Sequence, residues 1–296
     1  MSSMKLYDVA FVGHYTKDTI SSASGTRVVD GGACNYGANV AARMGLKAAV
    51  VTRLAKADFH IVEELRRLGV DVFARETPQS TCLRLEYPTA DVDERTIYVT
   101  STAGPFTPAE VEAVQARAFL IGASMRREVG LDVIEELGKK DALLAADIQS
   151  FIRVERDGVL VPAPWPEREQ VLAHLDVLKT DAVEAELLTG ETNIEDAARM
   201  IARLGPSEVV LTHRDGLLVL ADGQFHQAGW FPRKLVGRSG RGDTTIAAYV
   251  AKRLTAPSAE ATIWAAAVAS LKMEAEGPFR RDISEVGGLI HRKYRG

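Results

Sequence analysis

The sequence predicts an α/β fold built on a mostly parallel sheet. Short apolar runs of strand character alternate with segments of helical periodicity along most of the 296 residues, and this alternation is typical of parallel βαβ units. It breaks once, where two strand-like segments follow each other with no helix between them. A chain of this length can bury a large core, and we expect a single α/β domain over residues 1–296.

The N-terminal part opens with alternating strands and helices. The run Tyr7–Val12 is apolar and ends at Gly13, while Gly32–Gly45 is rich in alanine and other small residues. Residues 58–68 place apolar side chains at positions 61, 62, 65 and 68, which is a helical stripe. The predicted strands are 7–12, 48–52 and 70–73, and the predicted helices are 32–45 and 58–68.

Two strand-like segments, Ser80–Tyr87 and Glu94–Thr100, interrupt this order. Both have period-2 character, and the stretch between them, Pro88–Asp93, is polar. Strands joined without a helix are expected to pair antiparallel. We therefore predict a flap or small subdomain inserted into the α/β body.

The alternation resumes at a dense helix-start signal. Thr107 can cap the helix, Pro108 suits its first position, Glu110 completes a capping box, and Phe106 can pack against Val111. Further strands are predicted at 118–121, 143–146, 177–179, 209–211 and 217–220, and further helices at 196–204, 244–254, 258–273 and 283–291. Ligands collect at the carboxyl ends of such strands, so candidate site residues follow them, at 14–18, 147–153, 180–184 and 212–216.

Composition and charge narrow the class of protein. The net charge is −4 and 26% of the residues are charged, so no global basic field favours nucleic acid or a membrane surface. The two cysteines cannot form a disulfide framework, Met1–Leu6 lacks the features of a signal peptide, and no apolar run approaches 18 residues. We therefore expect a cytoplasmic protein without a nucleic-acid or membrane partner.

A glycine-rich, cationic turn precedes the helix predicted at 244–254. Gly240 and Gly242 free the backbone there, and the N–H groups at the start of a helix form an anion site. Asp243 is placed to take a proton from a hydroxyl that attacks the bound anion, or it simply caps the helix. The turn lacks the Lys-Ser/Thr pair of a P-loop and does not fit a hydrolase nucleophile elbow.

Several separated segments resemble the ribokinase-like (pfkB-type) carbohydrate kinases. The turn GRSGRGDT resembles the family's C-terminal signature, Asp-Thr-x-Gly-Ala-Gly-Asp-Thr, and Gly31–Gly45 resembles its N-terminal signature, a Gly-Gly pair before a small-residue helix. Phe11–Asp18 is similar to the first strand with its sugar-binding aspartate, and Lys179–Glu184 is similar to the Lys-Pro-Asn-x-x-Glu motif. Together these segments span nearly the whole chain in the family's order.

The resemblance implies a three-layer α/β/α sandwich with a small β-sheet lid, inserted from about residues 14–31 and 80–102. It implies transfer of the γ-phosphoryl group of ATP, with Mg²⁺, to a hydroxyl of a small sugar or polyol, and it allows a homodimer through the lid. Asp243 would be the general base, and the backbone of Gly240, Arg241 and Gly242 would form the anion hole. The implied substrate residues are His14, Asp18, Gly31, Gly32, Asn35, Tyr36, Asp147, Gln149 and Arg153. The implied nucleotide residues are Asp181, Thr212, Arg214, Gly216 and Gly242. Asp181 and Glu184 would act near the metal through water.

Four positions depart from the family pattern. Arg241 replaces an alanine, and it can reach a phosphate or face solvent. Gly237 replaces an aspartate that helps to bind potassium in relatives, which puts potassium activation in doubt. Asp181 and Tyr36 each replace an asparagine.

Lys272, near the end of the helix predicted at 258–273, fits either a nucleotide contact or a charged position on a helix.

The substrate stays open among hydroxyl-rich molecules. His14 with Asp18, the Tyr36 substitution and the segment 146–153 look most like the myo-inositol kinase branch, so an inositol-like polyol is favoured over pentoses, hexoses and sugar acids. One alternative is a nucleoside kinase of the same fold, which would direct three flap side chains at its substrate: Tyr87, Ile97 and Tyr98. Another alternative is a non-catalytic homologue that only binds a ligand.

Overall fold

The computed structural model describes residues 5–23, 25–89, 95–237 and 239–295. Glu94, the predicted first residue of the second flap strand, and Arg238 of the glycine-rich turn lie outside these ranges. The strands and helices are β1 Leu6–Val12, β2 Thr16–Ser22, β3 Gly25–Gly31, α1 Ala33–Arg43, β4 Ala48–Ala55, α2 His60–Arg67, β5 Asp71–Thr77, β6 Thr81–Glu86, β7 Thr96–Ser101, α3 Pro108–Glu112, β8 Gln115–Ile121, α4 Leu131–Gly138, β9 Leu143–Asp147, α5 Gln149–Ile152, β10 Arg153–Arg156, β11 Val159–Pro162, α6 Arg168–Leu172, β12 Val177–Asp181, α7 Ala182–Thr189, α8 Ile194–Ala202, β13 Glu208–Thr212, β14 Gly216–Ala221, β15 Gln224–Gly229, α9 Arg241–Arg253, α10 Ser258–Lys272 and α11 Ile283–Lys293.

The larger sheet has the strand order β15-β14-β13-β12-β9-β8-β1-β4-β5. Neighbouring strands from β13 to β5 are parallel, and β14 and β15 add an antiparallel edge. The predicted parallel βαβ arrangement is therefore confirmed. Because the strands are parallel, their carboxyl ends meet along one edge of the sheet, where Gly13, Asp147 and Asp181 lie.

Helices cover both faces of this sheet. Side chains alternate along β1, so that Val9 and Phe11 enter one core with α1, α2, α9, α10 and α11. Ala10 and Val12 enter the opposite core with α3, α4, α6, α7 and α8. The result is the predicted three-layer α/β/α sandwich. Within the described ranges, no helix is long and apolar enough to cross a membrane.

A smaller sheet has the strand order β10-β11-β7-β6-β2-β3. The two predicted flap strands, found as β6 and β7, pair antiparallel as expected, with Leu85 beside Ile97. The hairpin β2–β3 lies on one side of them. The hairpin β10–β11, which the sequence analysis did not identify, lies on the other. Its turn contains Asp157 and Gly158 with φ angles of 51° and 79°, the left-handed conformation that an Asp-Gly pair readily adopts.

The two faces of the smaller sheet differ in character. Ile20, Leu83 and Leu85 lie on one face and form a buried cluster with Met125, which follows β8. Asp18 shares this face, because it lies beside Leu83 in the β2–β6 register and successive strand side chains alternate. The opposite face carries polar side chains, including Lys17, Thr19, Arg84 and Glu86.

Candidate active site

The glycine-rich turn forms the start of helix α9, three residues earlier than predicted. Gly240 has a left-handed φ of 74° and is the N-cap, and the helix begins at Arg241. Glycine is unfavourable in a helix interior, yet Gly242 lies in the first turn of α9. Gly240 rather than Asp243 is the cap, so the alternative in which Asp243 caps the helix is wrong.

The first turn of α9 presents backbone N–H groups to a ligand. The N–H of Thr244 is the first to bond within the turn, to the carbonyl oxygen of Gly240 at 2.9 Å. The N–H groups of Arg241, Gly242 and Asp243 precede it in the first turn, where an α-helix supplies no carbonyl oxygen four residues earlier. An anion is stabilised at such a position by these N–H groups and by the helix dipole.

A buried network fixes the other end of α9. Glu208, at the start of β13, accepts hydrogen bonds from the Tyr249 hydroxyl at 2.6 Å and from the Arg253 guanidinium at 2.6 Å. Hydrogen bonds to a charged group contribute about 1.5–3 kcal/mol each. The helix is therefore held at its C-terminal end against the sheet, which fixes where its N-terminus points.

Two side chains lie so close to the turn that they require its glycines. A Cβ atom on Gly240 would lie 2.2 Å from Cε1 of Tyr36, and a Cβ atom on Gly242 would lie 2.8 Å from Nζ of Lys179. Both contacts are shorter than carbon makes with a neighbouring heavy atom. The turn is thus supported by the Tyr36 ring from α1 and by the Lys179 ammonium from β12.

Asp243 is half-buried and surrounded by positive charges. Burial raises the pKa of its carboxyl, and the charges of Lys179, Arg153, Lys272 and Arg95 oppose that rise. A carboxyl with a raised pKa is a stronger base than one in water, which favours it as a proton acceptor.

Asp18 is a second carboxylate of the same site. Burial raises its pKa to about 6, with a further rise from the charge of Asp243, while Thr16 and Arg95 lower it. Its Oδ1 atom is buried and has no hydrogen-bond partner within the described residues. A Cβ atom on Gly31 would lie 2.4 Å from Asp18 Oδ2, so this glycine makes room for the carboxylate.

The second glycine of the Gly-Gly pair, Gly32, allows a backbone conformation and a close approach that other residues would not. Gly32 has a φ of 93°, and a Cβ atom there would lie 2.4 Å from the carbonyl oxygen of His14. The chain therefore passes tightly between β3 and α1, which brings Gly31 and the start of α1 beside the carboxyl end of β1.

Asp147, Lys179, Glu184 and Arg153 form a buried ion network under the turn. Nζ of Lys179 lies 2.9 Å from Asp147 and 4.0 Å from Glu184, and Arg153 donates to Glu184 at 3.0 Å. Burial raises the pKa of Asp147 to about 6 despite Lys179. For Glu184, Lys179 and Arg153 outweigh burial and lower the pKa. Gln149 donates its backbone N–H to Asp147 at 3.1 Å.

His14 is placed in the junction between the two sheets. Its side chain is 1% exposed, its Nδ1 atom lies 2.8 Å from the Thr81 hydroxyl and 3.3 Å from Glu128, and its ring centre lies 4.9 Å from that of Phe106. The Nδ1 side of the imidazole therefore joins the end of β1 to β6, while its buried Nε2 atom has no hydrogen-bond partner among the described residues, and the predicted contact of His14 with a substrate stays a prediction.

Asn35 and Tyr36 occupy different surroundings although they are adjacent. The Asn35 amide donates to the carbonyl oxygen of Asp30 at 3.1 Å, and its oxygen accepts from Asn39 at 3.1 Å. Its polar atoms are thus used between β3 and α1. Tyr36 packs on Gly240 instead, so of the two it is Tyr36 that lies beside the turn.

The predicted nucleotide residues lie at the ends of β12 and β13. Asp181 and Glu184 form the capping box of α7: Asp181 accepts from the N–H of Glu184 at 2.8 Å, and Glu184 accepts from the N–H of Asp181 at 3.2 Å. Thr212 and Gly216 are buried, and Arg214 is exposed. The predicted contact of these residues with a phosphate donor stays a prediction.

Lys272, at the end of α10, lies against the glycine-rich turn. It is 2% exposed, and its ammonium donates to the carbonyl oxygens of Ser239 and, at 3.4 Å, Gly237. Burial lowers its pKa to about 8. A lysine at the end of an alanine-rich helix was a signal for this, since such a helix is buried on several sides. Beside it, the Arg241 guanidinium lies 5.7 Å from the centre of the Trp230 ring.

Comparison with known proteins agrees with this architecture. Residues 5–281 match the model of the pfkB family of carbohydrate kinases, while a search of curated proteins found no match. One similar solved structure is a pyrophosphate-dependent kinase of the ribokinase family complexed with a pyrophosphate analogue and myo-inositol; it has 32% identity and a TM-score of 0.87 over 95% of this chain and 99% of the other. A sulfate complex of a pyrophosphate-dependent kinase of that family has 34% identity and a TM-score of 0.88 over 94% and 99%.

More distant structures share the fold. The Arabidopsis thaliana ribokinase complexed with ribose and ATP has 20% identity and a TM-score of 0.77, over 97% of this chain and 99% of the other. The family model covers most of the chain, and its members transfer a phosphoryl group to a sugar hydroxyl. This chain belongs to the pfkB family of carbohydrate kinases.

Proposed function

We propose that this protein transfers a phosphoryl group from inorganic pyrophosphate to a hydroxyl of an inositol-like cyclic polyol. The observation that carries this proposal is the likeness, along almost the whole chain, to pyrophosphate-dependent kinases, one of them bound to myo-inositol. The resemblance of His14, Asp18 and residues 146–153 to the myo-inositol kinase branch supports the same acceptor. ATP, the donor implied by the family resemblance, is the second candidate.

The charges around the turn support a compact donor. Pyrophosphate has no nucleoside, so its affinity must come from its phosphate groups alone. Lys179, Arg153, Lys272 and Arg95 surround Asp243, and Arg241 adds a guanidinium where most relatives have a methyl group. Guanidinium and ammonium groups are strong partners for phosphate oxygens. This concentration of cations is what a donor without a base requires.

The acceptor side supports a polyol over a nucleoside. Among the described residues, one carboxylate oxygen of Asp18 has no hydrogen-bond partner, and such an oxygen accepts hydrogen bonds from hydroxyls. Of the flap side chains expected for a nucleoside kinase, Tyr87 and Ile97 lie with the cluster of Leu83 and Leu85. Tyr98 occupies the opposite face, where its ring centre lies 4.2 Å from the Arg84 guanidinium. A complete aromatic contact for a base is therefore not assembled from these residues.

The proposed mechanism assigns one step to each group. The acceptor hydroxyl donates a hydrogen bond to Asp243, which takes its proton as the oxygen attacks phosphorus. The P–O bond of the donor breaks, and its electron pair leaves with the departing phosphate. The N–H groups of Arg241, Gly242 and Asp243 stabilise the charge on the transferring group.

Magnesium fits as an ion carried mainly by the donor. Among the described residues there is no group of three or more histidine, cysteine and acidic side chains that could hold a metal, and Glu184 is already paired with Arg153. Mg²⁺ commonly keeps several waters and binds through substrate phosphates with one or two carboxylates. Asp181 would contact it through water, and the bound ion would neutralise phosphate charge.

A panel of donors and acceptors tests the proposal. Purified protein is incubated with Mg²⁺, with pyrophosphate or ATP, and with myo-inositol, ribose, a hexose, a sugar acid or a nucleoside, and the phosphorylated product is detected by ³¹P NMR. We expect product from pyrophosphate and myo-inositol and none from an Asp243→Asn preparation, which controls for contaminating enzymes. If product forms from ATP but not from pyrophosphate, the proposed donor is wrong. If it forms from a nucleoside or another sugar but not from myo-inositol, the proposed acceptor is wrong.

A homodimer through the smaller sheet, allowed by the family resemblance, stays a prediction. Its exposed face carries Lys17, Thr19, Arg84 and Glu86, with Arg84 and Glu86 paired to each other. Val28, which lies beside Thr19, is 59% exposed on that face, so a dimer formed there would combine polar and apolar contacts.

A further inference from the structure

Lys179 occupies an unusual place for a lysine. It is 5% exposed, and its Nζ atom lies where a Cβ atom on Gly242 would be only 2.8 Å away. Gly242 lies in the first turn of α9, among the N–H groups that would hold the transferring phosphoryl group. The ammonium is therefore directly against the anion turn, although Lys179 comes from the sheet beneath it.

Acidic neighbours hold this buried charge in place. Asp147 lies 2.9 Å from Nζ and Glu184 lies 4.0 Å from it. Taking an ammonium group out of water costs several kcal/mol, and these two carboxylates offset the cost. Glu184 is shared with Arg153, so Asp147 is the closer and less divided partner of the lysine.

We propose that Lys179 is a positioning residue, whose fixed positive charge, held by Asp147, tunes the anion turn and Asp243 for phosphoryl transfer. It acts through the turn, because Gly242 leaves the ammonium close to the N–H groups without a side chain between them. A fixed charge near a developing negative charge stabilises the transition state without reorganisation. This inference rests on the proposed role of Asp243 as the base.

The effect of Lys179 on the pKa of Asp243 depends on the other charged groups around that carboxyl. The cations that face it are Lys179 from β12, Arg153 from β10, Lys272 from α10 and Arg95 before β7. The acidic groups close enough to interact with it are Asp18 from β2 and Asp147 from β9, and the Tyr36 and Cys34 side chains from α1 face it as well. Removing Lys179 leaves the acidic groups in place, so the pKa of Asp243 should rise further.

Three variants separate a positioning role from a structural one. Lys179→Met removes the charge, and Lys179→Met with Asp147→Asn removes the charge pair together, so that no unpaired Asp147 carboxylate remains. Lys252→Met on α9 is the matched control. Steady-state kinetics with the active donor and acceptor, pH profiles and thermal unfolding are measured for each.

We expect Lys179→Met to lower kcat about 100-fold, with smaller changes in KM, and to move the acid limb of the kcat profile to higher pH. The double variant should recover thermal stability but not kcat, and Lys252→Met should match the wild type. If the double variant recovers both kcat and the wild-type pH profile, Lys179 is only half of a structural ion pair and the inference is wrong. If Lys179→Met does not fold, the double variant decides alone.

The proposed function fails in a different way. If Asp243→Asn keeps wild-type turnover, the base has been misassigned and the tuning of Asp243 by Lys179 loses its basis. If Asp243→Asn is inactive while the folded Lys179 variants turn over normally, only the role of Lys179 is overturned.

Discussion

The two carboxylates of the candidate site occupy opposite electrostatic surroundings. Asp243 lies among Lys179, Arg153 and Lys272 at the start of a helix. Asp18 lies on the smaller sheet, where Asp243 and Asp30 add to the effect of burial on its pKa. Burial raises the pKa of both carboxyls and Arg95 opposes the rise at both, whereas Lys179, Arg153 and Lys272 oppose it at Asp243.

Together with the proposed function, this difference predicts where each substrate would bind. Under the proposed function, a phosphate donor with several negative charges would be favoured beside Asp243, where the neighbouring cations and the N–H groups of the first turn of α9 would compensate them. A neutral polyol brings hydroxyl donors and no charge, and it is favoured beside Asp18, where an anion would be repelled. The acceptor hydroxyl would then lie between the two carboxylates, with its oxygen directed at the donor.

Replacing Asp243 should give the largest effect, because it removes the group that serves both substrates. We expect Asp243→Asn to lower kcat about 1,000-fold, within the range for loss of a general base, with little change in either KM. Initial rates at saturating donor and acceptor measure this. Asp215→Asn, an exposed aspartate, is the matched control.

Asp243→Asn should lower activity, but it should not lower the stability of the fold. A raised pKa means that the folded state disfavours the charged carboxyl relative to the unfolded chain, so at neutral pH the charge costs stability. Asp243→Asn should therefore unfold at the same temperature as the wild type or a higher one. A clearly lower unfolding temperature would show that Asp243 is mainly structural.

Replacing Asp18 should affect only the acceptor side. We expect Asp18→Asn to raise the KM for the polyol about 30-fold, equivalent to about 2 kcal/mol for hydrogen bonds to a charged group, and to leave the donor KM unchanged. In the wild type the polyol KM should rise as the pH falls through about 6, where Asp18 takes up a proton, and in the variant this dependence should disappear. Glu86→Gln, on the other face of the same sheet, is the control. If Asp18→Asn raised the donor KM as much as the polyol KM, the assignment of Asp18 to the acceptor alone would be wrong.

Much of this site could be predicted from local sequence. Gly240, Gly242 and Asp243 stand next to one another, and their properties depend on the backbone of one turn. Asp18 lies in β2, a few residues after the end of β1, and the Gly31-Gly32 pair lies where β3 ends and α1 begins. These residues needed only a motif and the fold class.

Other features depend on contacts that a local pattern does not contain. Lys179 reaches Gly242 only because β12 is in register with β9 and because α9 is anchored by Glu208, contacts that join residues far apart in the chain. His14 follows a strand as expected, but Thr81 and Glu128 bind its ring inside the junction between the sheets.

One missed element did have a local signal. The hairpins β10–β11 and β14–β15 both turn at Asp-Gly pairs, Asp157-Gly158 and Asp222-Gly223, with positive φ angles throughout. Asp-Gly between two apolar or alternating runs is a strong sign of a hairpin. The polar residues of β10, Arg153–Arg156, obscured it because that strand lies at the edge of the smaller sheet.

Replacing Lys272 should give the smallest effect and should confine it to the donor side. Its ammonium holds carbonyl oxygens of the turn and has a pKa lowered by burial to about 8, so it is charged at neutral pH and loses its proton as the pH rises through 8. We expect the donor KM of the wild type to rise above that pH, and Lys272→Met to have a donor KM about 10-fold higher at pH 7, equivalent to about 1.4 kcal/mol, with no dependence on pH near 8. The polyol KM should not change, and Lys293→Met on α11 serves as the control. A rise in the polyol KM of equal size would mean that Lys272 positions the whole turn rather than the donor, and the contrast between the two carboxylates would then rest on Lys179 and Arg153.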